Sequence, residues 1–356
     1  MSRIVIKIGS NVITRADGTL DVTRMSALVD QVVALTKNGH SVIMVSSGAV
    51  AAGRNEIEPS RKLDPVSARQ LYSAVGQAKL INRYYELFRD HGLTCGQILT
   101  TKEGFGSRIH YLNQKHCMEV MLEQGVIPVI NENDTVSVTE LMFTDNDELS
   151  GLVAAMMDAD KLIILSNIDG IYDGDPSLPD SSVIRVVDRG TADLSGVVAA
   201  GKSTFGRGGM LTKSRIALKA ASEGIEVIVA NGKRENVLID LLYDADALCT
   251  RIIPGERING VKKWIANSQD FAKGTLYVND GAAQSLLDAD RATSLLAVGI
   301  TGVDGAFDKG DIVAIVSPDG RRIGLGCSEY DADTLRESMG VKGVRPAVHY
   351  DYLYIE

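Results

Sequence analysis

At 356 residues and 45% hydrophobic content, the chain can bury a sizeable core and is longer than one average domain. A formal net charge of -9 argues against a general affinity for nucleic acid or for an anionic membrane surface. Cys95, Cys117, Cys249 and Cys327 lie far apart with no C-x-x-C pair, so neither a zinc site nor a redox pair is indicated, and free thiols in a reducing cytoplasm are expected.

The opening MSRIVIKIGSN lacks the apolar stretch of a signal peptide, and no run of about 18 apolar residues is present to cross a membrane. RIVIKI, Arg3 to Ile8, reads as a buried strand. A helix follows, with Met25, Leu28, Val29, Val32 and Leu35 at helical spacing, and Gly39 caps its end. SVIMVS is the second buried strand, and a long helix runs from about Val66 to His91. TCGQILT, VIPVIN, KLIILS and EVIVA are further strands, nearly all preceded by helical patterns. Strand and helix in alternation, with strands apolar on both faces, predict an open, mostly parallel α/β sheet sandwiched by helices. After about Leu248 the pattern changes to short β runs separated by Gly and Asp turns, which predicts a small β-rich domain. RIIPGERINGVKKWIANSQ reads as the link between the two.

GVVAAGKS, residues 196 to 203, fits the phosphate-loop pattern G-x-x-x-x-G-K-[ST] at every position. A working phosphate loop needs a buried strand running into its first glycine and a helix starting at its lysine. Here DRGTADLS precedes the motif and the glycine-rich TFGRGGM follows, so the context is missing. GRGGMLTKSRIALKAASEG, Gly206 to Gly224, is the better phosphate seat: a glycine-rich loop entering a helix, with Lys213 near the first turn. A glycine-rich surface turn is the alternative at this point.

In open sheets of this kind, ligands sit at the carboxyl ends of the strands, which singles out the loops after Ile8, Ser46, Asn131 and Ser166. Lys7 lies inside an otherwise apolar strand, a costly place for a charge that is not used, unless its stem only snorkels to solvent. Ser46-Ser47-Gly48-Ala49 offers small residues, amides and hydroxyls, or is a plain tight turn. Asn131-Glu132-Asn133-Asp134 and Thr144-Asp145-Asn146-Asp147 are two acid-amide clusters, with Asp147 near a helix start. Either alone would pass for an exposed turn. Together these parts suit phosphoryl transfer, which depends on positioning and on charge stabilisation. Lys7 and Lys213 could flank the transferred group, with Asp147 holding both. A carboxylate acceptor is already ionised and needs no general base. The acidic clusters would repel a phosphorylated acceptor and suit an ammonium group, which favours an amino acid.

IVIKIGSNVIT, VSSGAVAAG, VGQAKL, VIPVINENDTV, FTDNDELS, ADKLIILSNIDGIY and GRGGMLTKSRIA, in this order, resemble the amino acid kinase family and, within it, the bacterial kinases that act on glutamate. The tail from KGTLYVNDGAAQSLL to SEYDADTLRE resembles a PUA domain. The resemblance implies a catalytic domain over residues 1–248, a linker over 249–271 and a PUA domain over 272–356. It implies ATP-dependent phosphorylation of the γ-carboxylate of L-glutamate, the first step of proline biosynthesis, in the cytoplasm. It also implies Lys7, Lys213 and Asp147 as catalytic residues, and Ser47, Asp134 and Asn146 for the acceptor. ATP would meet Lys7, Ser166, Asn167 and the run Arg207, Gly208, Gly209, Met210, Leu211, Thr212 and Lys213. Mg2+ would be held mainly by the nucleotide and not by a protein metal site. Proline is the implied inhibitor, and a homodimer or homotetramer the implied assembly. The sequence departs from the family at Ser166-Asn167, where Thr-Asp is usual, and at Arg207, where a small residue is usual. PUA domains elsewhere bind RNA. From Thr250 onward, however, 12 Lys and Arg stand against 15 Asp and Glu, a net of -3, which disfavours RNA as the partner.

Overall fold

Ile4 to Ile8 are all buried, the continuous run required of a strand covered on both faces, and the first sheet grows outward from them in both directions. The computed structural model describes residues 1–137, 143, 145–176, 178–188, 210–288 and 292–356. Within them the chain divides into two compact units, Met1–Arg257 and Ile258–Glu356.

In the first unit the strands are Arg3–Ile8 (β1), Ser41–Ser46 (β2), Thr94–Thr100 (β3), Val126–Glu132 (β4), Lys161–Ser166 (β5), Val186–Val187 (β6), Glu226–Asn231 (β7) and Thr250–Ile252 (β8). Their order in the sheet is β3-β4-β2-β1-β5-β7-β8-β6. Every pair is parallel except β7 with β8. The expected mostly parallel α/β sheet is therefore present. β1 has β2 on one side and β5 on the other, in the registers Ile8↔Ser46 and Ile8↔Leu165. The chain winds away from β1 in two directions, so the crevice at its carboxyl end is the switch point where open sheets bind ligands.

The helices of this unit are Ser10–Ile13 (α1), Val22–Lys37 (α2), Ala49–Arg54 (α3), Pro65–Arg89 (α4), Glu103–Gly106 (α5), Arg108–Glu123 (α6), Asn146–Met156 (α7), Met210–Ser222 (α8) and Val237–Tyr243 (α9). Met25, Leu28, Val29, Val32 and Leu35, the stripe read from the sequence, are all fully buried on α2. They pack with Ile4, Ile6 and Ile8 of β1 and with Tyr84 and Phe88 of α4 in one core cluster. Strand alternation then sends Val5 and Lys7 to the opposite face. α4 is started by the Asp64 side chain, which accepts from the amides of Val66 and Ser67, with Pro65 in its first turn.

The stretch 249–271, expected as a linker, carries regular structure at both ends. Thr250–Ile252 is a strand of the large sheet, antiparallel to β7, and Gly260–Ala266 (α10) is a helix of the second unit, capped by Asn259. The second unit is built on Gly274–Val278 (β9), Ile300–Gly305 (β10), Ile312–Val316 (β11), Arg322–Cys327 (β12) and Leu353–Ile355 (β13), in the order β10-β9-β11-β12-β13. Asp280–Leu287 (α11) and Ala332–Ser338 (α12) complete it. Its own core gathers Leu276, Val313, Ile315, Ile323, Leu335 and Val348. Among the described residues no helix is long and apolar enough to cross a membrane.

One contact fixes the loop after β2. α3 and α4 cross with Gly53 and Gly76 at the interface, and a Cβ on Gly76 would overlap the carbonyl oxygen of Ala49, while one on Gly53 would overlap that of Tyr72. These are backbone atoms and cannot swing aside. Gly76→Ala must therefore push the helices apart, and its unfolding free energy in urea should fall by about 2–3 kcal/mol. A curve within about 0.5 kcal/mol of the parent would show that the crossing adjusts freely.

Candidate active site

Lys7 leaves β1 on the face away from the α2 core and meets the first turn of α7. Its Nζ lies 2.6 Å from Asp147 Oδ1, and Lys213 Nζ lies 2.5 Å from Asp147 Oδ2. One carboxylate thus carries an ammonium on each oxygen. Asp147 has no exposed surface, and the side chains of Lys7 and Lys213 are only 7% and 16% exposed, so this is a buried triad with an opening toward Lys213. Burial alone would push the Asp147 carboxyl up. Lys7 and Lys213 together outweigh it and hold the carboxyl below the usual carboxylate range.

The local sequence explains how Asp147 gets there. Asp145 caps α7, its Oδ1 accepting from the amides of Asp147 at 2.9 Å and Glu148 at 3.2 Å. The positive helix end then favours the Asp147 carboxylate as well. Lys213 is the fourth residue of α8, as the glycine-rich entry to that helix led one to expect. Gly9 closes β1, its amide donating to the Leu165 carbonyl at 3.1 Å. A Cβ there would come 3.2 Å from that oxygen and 3.6 Å from Lys7 Nζ, so glycine keeps the approach to the ammonium clear.

On the β2 and β4 side, Asn146 Nδ2 donates to Ser47 Oγ at 2.9 Å and to Asn131 Oδ1 at 2.9 Å. Asn131 Nδ2 in turn donates to Gln77 Oε1 of α4 at 2.8 Å. The turn between β2 and α3 passes through Gly48 at φ 106, a left-handed conformation that suits glycine. Ser46 Oγ is 2.9 Å from the Tyr84 hydroxyl, which ties the same loop to α4. Ser47 and Asn146, both expected to hold an acceptor, are therefore joined directly. Both sit next to the triad, Asn146 by one residue and Ser47 through its amide bond to the Ile8 carbonyl at 3.0 Å.

Asp134 stands at the turn after β4 and is taken up by a residue the sequence reading passed over. Arg69 of α4 donates from Nε to Asp134 Oδ1 at 2.7 Å and from Nη2 to Glu132 Oε2 at 3.1 Å. Burial raises both the Glu132 and Asp134 carboxyls, and the Arg69 charge pulls them back only in part. The signal for Arg69 was present: it falls on the stripe of Ser73, Gly76, Leu80, Tyr84 and Phe88 that α4 buries, where a cation needs partners. Asp145 was quoted only as part of a cluster. Its Oδ2 is buried and receives no hydrogen bond from a described residue, and burial followed by the Asp147 charge pushes its carboxyl up.

On the β5 and β7 side, Ser166 is buried at the end of β5 and Asn167 beside it is exposed. The amide of Gly232 donates to the Ser166 carbonyl at 2.7 Å, which locks the ends of β5 and β7 together. Met210, Leu211 and Thr212 form the first turn of α8 with Lys213. Arg207, Gly208 and Gly209 lie outside the described residues, as do Thr144 and the whole of the GVVAAGKS match.

The sequence pattern of the Amino acid kinase family matches residues 2–231, and that of the PUA domain matches residues 274–350. A glutamate 5-kinase of Bacteroides thetaiotaomicron is 62% identical over 357 residues, covering 100% of this chain and 99% of that relative. One of Chlorobaculum tepidum is 47% identical, covering 99% of this chain and 97% of the relative. Among solved structures, a carbamate kinase from Giardia lamblia bound to AMP-PNP superposes with a TM-score of 0.52 at 17% identity, over 71% of this chain and 98% of that one. An isopentenyl phosphate kinase does so with a TM-score of 0.51 at 18% identity, over 70% and 99%. At such identities the two structures speak for the fold alone, and the sequence matches carry the assignment: the chain belongs to the amino acid kinase family, with a PUA domain following the kinase unit.

Proposed function

We propose that the protein transfers the γ-phosphoryl group of ATP to the γ-carboxylate of L-glutamate, giving L-glutamyl 5-phosphate and ADP, the first step of proline biosynthesis. The observation that carries this reading is the buried Asp147 carboxylate with a lysine ammonium on each oxygen at the switch point of the sheet. The relatives named as glutamate 5-kinases along the full chain supply the acceptor.

The acceptor carboxylate is ionised at neutral pH and attacks without a base. A bond forms between its oxygen and the γ-phosphorus, and the bond from that phosphorus to the bridging oxygen of ADP breaks. Negative charge on the moving phosphoryl group has to be met by positive charge already in place. Lys7 from β1 and Lys213 from α8 bring it from two elements, and Asp147 fixes both ammoniums so that they need no reorganisation. Ser47, Asn146 and Asp134 hold glutamate on the β2 and β4 side. Ser166, Asn167 and the run Arg207 to Lys213 hold the nucleotide. Mg2+ would arrive on the nucleotide phosphates, and the orphaned Asp145 Oδ2 is a hard oxygen that suits it. When bound, the ion lowers the charge on the phosphates. Feedback inhibition by proline, a homodimer or homotetramer, and a cytoplasmic setting belong to the same reading.

The first test is glutamate-dependent ADP release, with and without proline. Turnover of acetylglutamate but not of glutamate would overturn the choice of acceptor. Lys7→Ala and Lys213→Ala should each lose about a hundredfold or more in kcat while remaining folded. Asp134→Ala should act mainly on the KM for glutamate, and Lys202→Ala, in the GVVAAGKS match, should leave turnover nearly intact.

The triad also predicts a stability profile. Removing one partner of a buried pair costs about 3–5 kcal/mol, so Asp147→Asn should unfold at lower urea than the parent at pH 7. The folded carboxyl titrates below its unfolded value of about 4. The parent's margin is therefore complete above about pH 4 and shrinks as pH falls through the lowered pKa. A margin that is constant down to pH 2 would contradict the assignment of the charge to Asp147.

A further inference from the structure

We propose that Gln77 is a positioning residue for the acceptor: acting through Asn131, it fixes which atoms of Ser47 and Asn146 are turned toward the ligand. The inference rests on the reading in which Ser47 and Asn146 hold glutamate, and adds the residue that sets their hydrogen-bonding polarity.

The polarity starts at a donor that cannot be reversed. The backbone amide of Glu132 donates to Asn131 Oδ1 at 2.9 Å. A flipped Asn131 would set its own NH2 group against that N–H, so its oxygen has to stay on this side. Asn131 is only 4% exposed, and its NH2 group needs a partner inside the protein. Gln77 Oε1 is that partner, at 2.8 Å. Asn131 Oδ1 also faces Asn146 at 2.9 Å, which obliges Asn146 to present Nδ2 there, and the same Nδ2 donates to Ser47 Oγ at 2.9 Å. Asn146 Oδ1 then receives no hydrogen bond from a described residue and remains an acceptor. Ser47 Oγ is already an acceptor toward Asn146, and its own proton is left to donate. The ligand thus meets a hydroxyl donor, which suits a carboxylate, beside a carbonyl acceptor, which suits an ammonium.

α4 is a firm mounting for Gln77. The preceding Gly76 lies against the Ala49 carbonyl of α3, too close for a Cβ. Tyr84, two turns further along the same face, has its hydroxyl 2.9 Å from Ser46 Oγ, which in turn donates to the Ser47 carbonyl at 3.1 Å. One face of α4 therefore braces both the loop after β2 and the end of β4. Gln77 itself is half-buried and makes no hydrogen bond from Nε2 to a described residue, so its Oε1 is the atom the network uses. Without that oxygen the covered Asn131 NH2 group loses its partner. The amide then gains by turning toward another acceptor, and Asn146 loses the oxygen that holds its own amide in place.

The test uses the full chain. Steady-state kinetics in glutamate and in ATP, with thermal melts, are measured for the parent, Gln77→Met, Gln77→Glu, Asn131→Ala and the double variant Gln77→Met with Asn131→Ala. Gln77→Met keeps the length and loses the acceptor oxygen. It should raise the KM for glutamate about 5- to 20-fold, with kcat within about threefold and the KM for ATP within about twofold. Gln77→Glu keeps an oxygen for Asn131 and loses both amide protons, and its KM for glutamate should stay within about threefold of the parent. In the Asn131→Ala background, Gln77→Met should add less than about twofold. Equal losses in Gln77→Glu and Gln77→Met would overturn the positioning role, because Gln77 would then be meeting glutamate through its own Nε2. An unchanged KM in Gln77→Met, or an effect that persists in full without the Asn131 side chain, would overturn it as well. If the melts show Gln77→Met to be unfolded, Gln77→Ala takes its place with the same expectations. A parent that phosphorylates no glutamate sinks the functional reading itself, and the role of Gln77 with it, and this outcome is seen before any variant is made.

Discussion

Two ammonium groups cannot be kept a few ångströms apart in a buried place unless a negative charge lies between them. Asp147 is that charge, and much of the first unit can be understood as the means of holding it. β1 alternates so that Ile4, Ile6 and Ile8 enter the main core while Lys7 points the other way. α7 begins at the matching height because Asp145 caps it, which puts Asp147 in the first turn with its carboxylate fully covered. α8 brings Lys213 from a separate segment. The cost of covering the carboxylate is offset only because both lysines arrive, so the site and the packing of three elements are one arrangement.

The parts of this that could be read in the sequence are those set by local pattern. Strands covered on both faces leave unbroken apolar runs, so RIVIKI, SVIMVS and KLIILS coincide with β1, β2 and β5. The α2 stripe was legible for the same kind of reason. Thr250–Ile252 was not, because three residues carry little periodicity and the strand exists only through its pairing with β7. The helix Gly260–Ala266 was hidden among residues that read as turn and linker, and Trp264 and Ile265 become core only once the second unit has folded around them.

The same limit applies to the site. Lys7, Asp147 and Lys213 were found because each violates its surroundings: a charge in an apolar strand, an acid at a helix start, a lysine after glycines. Their convergence joins chain positions 140 and 66 residues apart through the sheet, an arrangement the sequence allowed, since ligands of open sheets sit at strand ends, but did not dictate. Arg69 broke its surroundings just as clearly, standing on the buried stripe of α4. It was missed because its partners, 63 and 65 residues further on, had been given a different task. GVVAAGKS is the converse in the sequence: a pattern complete in letters, set between the polar DRGTADLS and the glycine-rich TFGRGGM, and it lies outside the described residues.

The four carboxylates around the crevice differ in how many cations each has, and this ordering bears on what the site accepts. Asp147 has two ammoniums and is held below the usual range despite full burial. Glu132 and Asp134 share one guanidinium and are left above it. Among the described residues Asp145 forms no ion pair and its Oδ2 receives no hydrogen bond; burial and the Asp147 charge raise its carboxyl, and Lys213 and Lys7 pull it back only in part. The Lys7 and Lys213 side of the crevice is thus provided with positive charge in advance, while around Glu132 and Asp134 the described residues leave a deficit, one guanidinium to two carboxylates. A ligand that brings its own cation relieves that deficit, and one whose nitrogen is acylated does not. On the proposed function, this is the physical ground for preferring a free amino acid over an acylated one as acceptor.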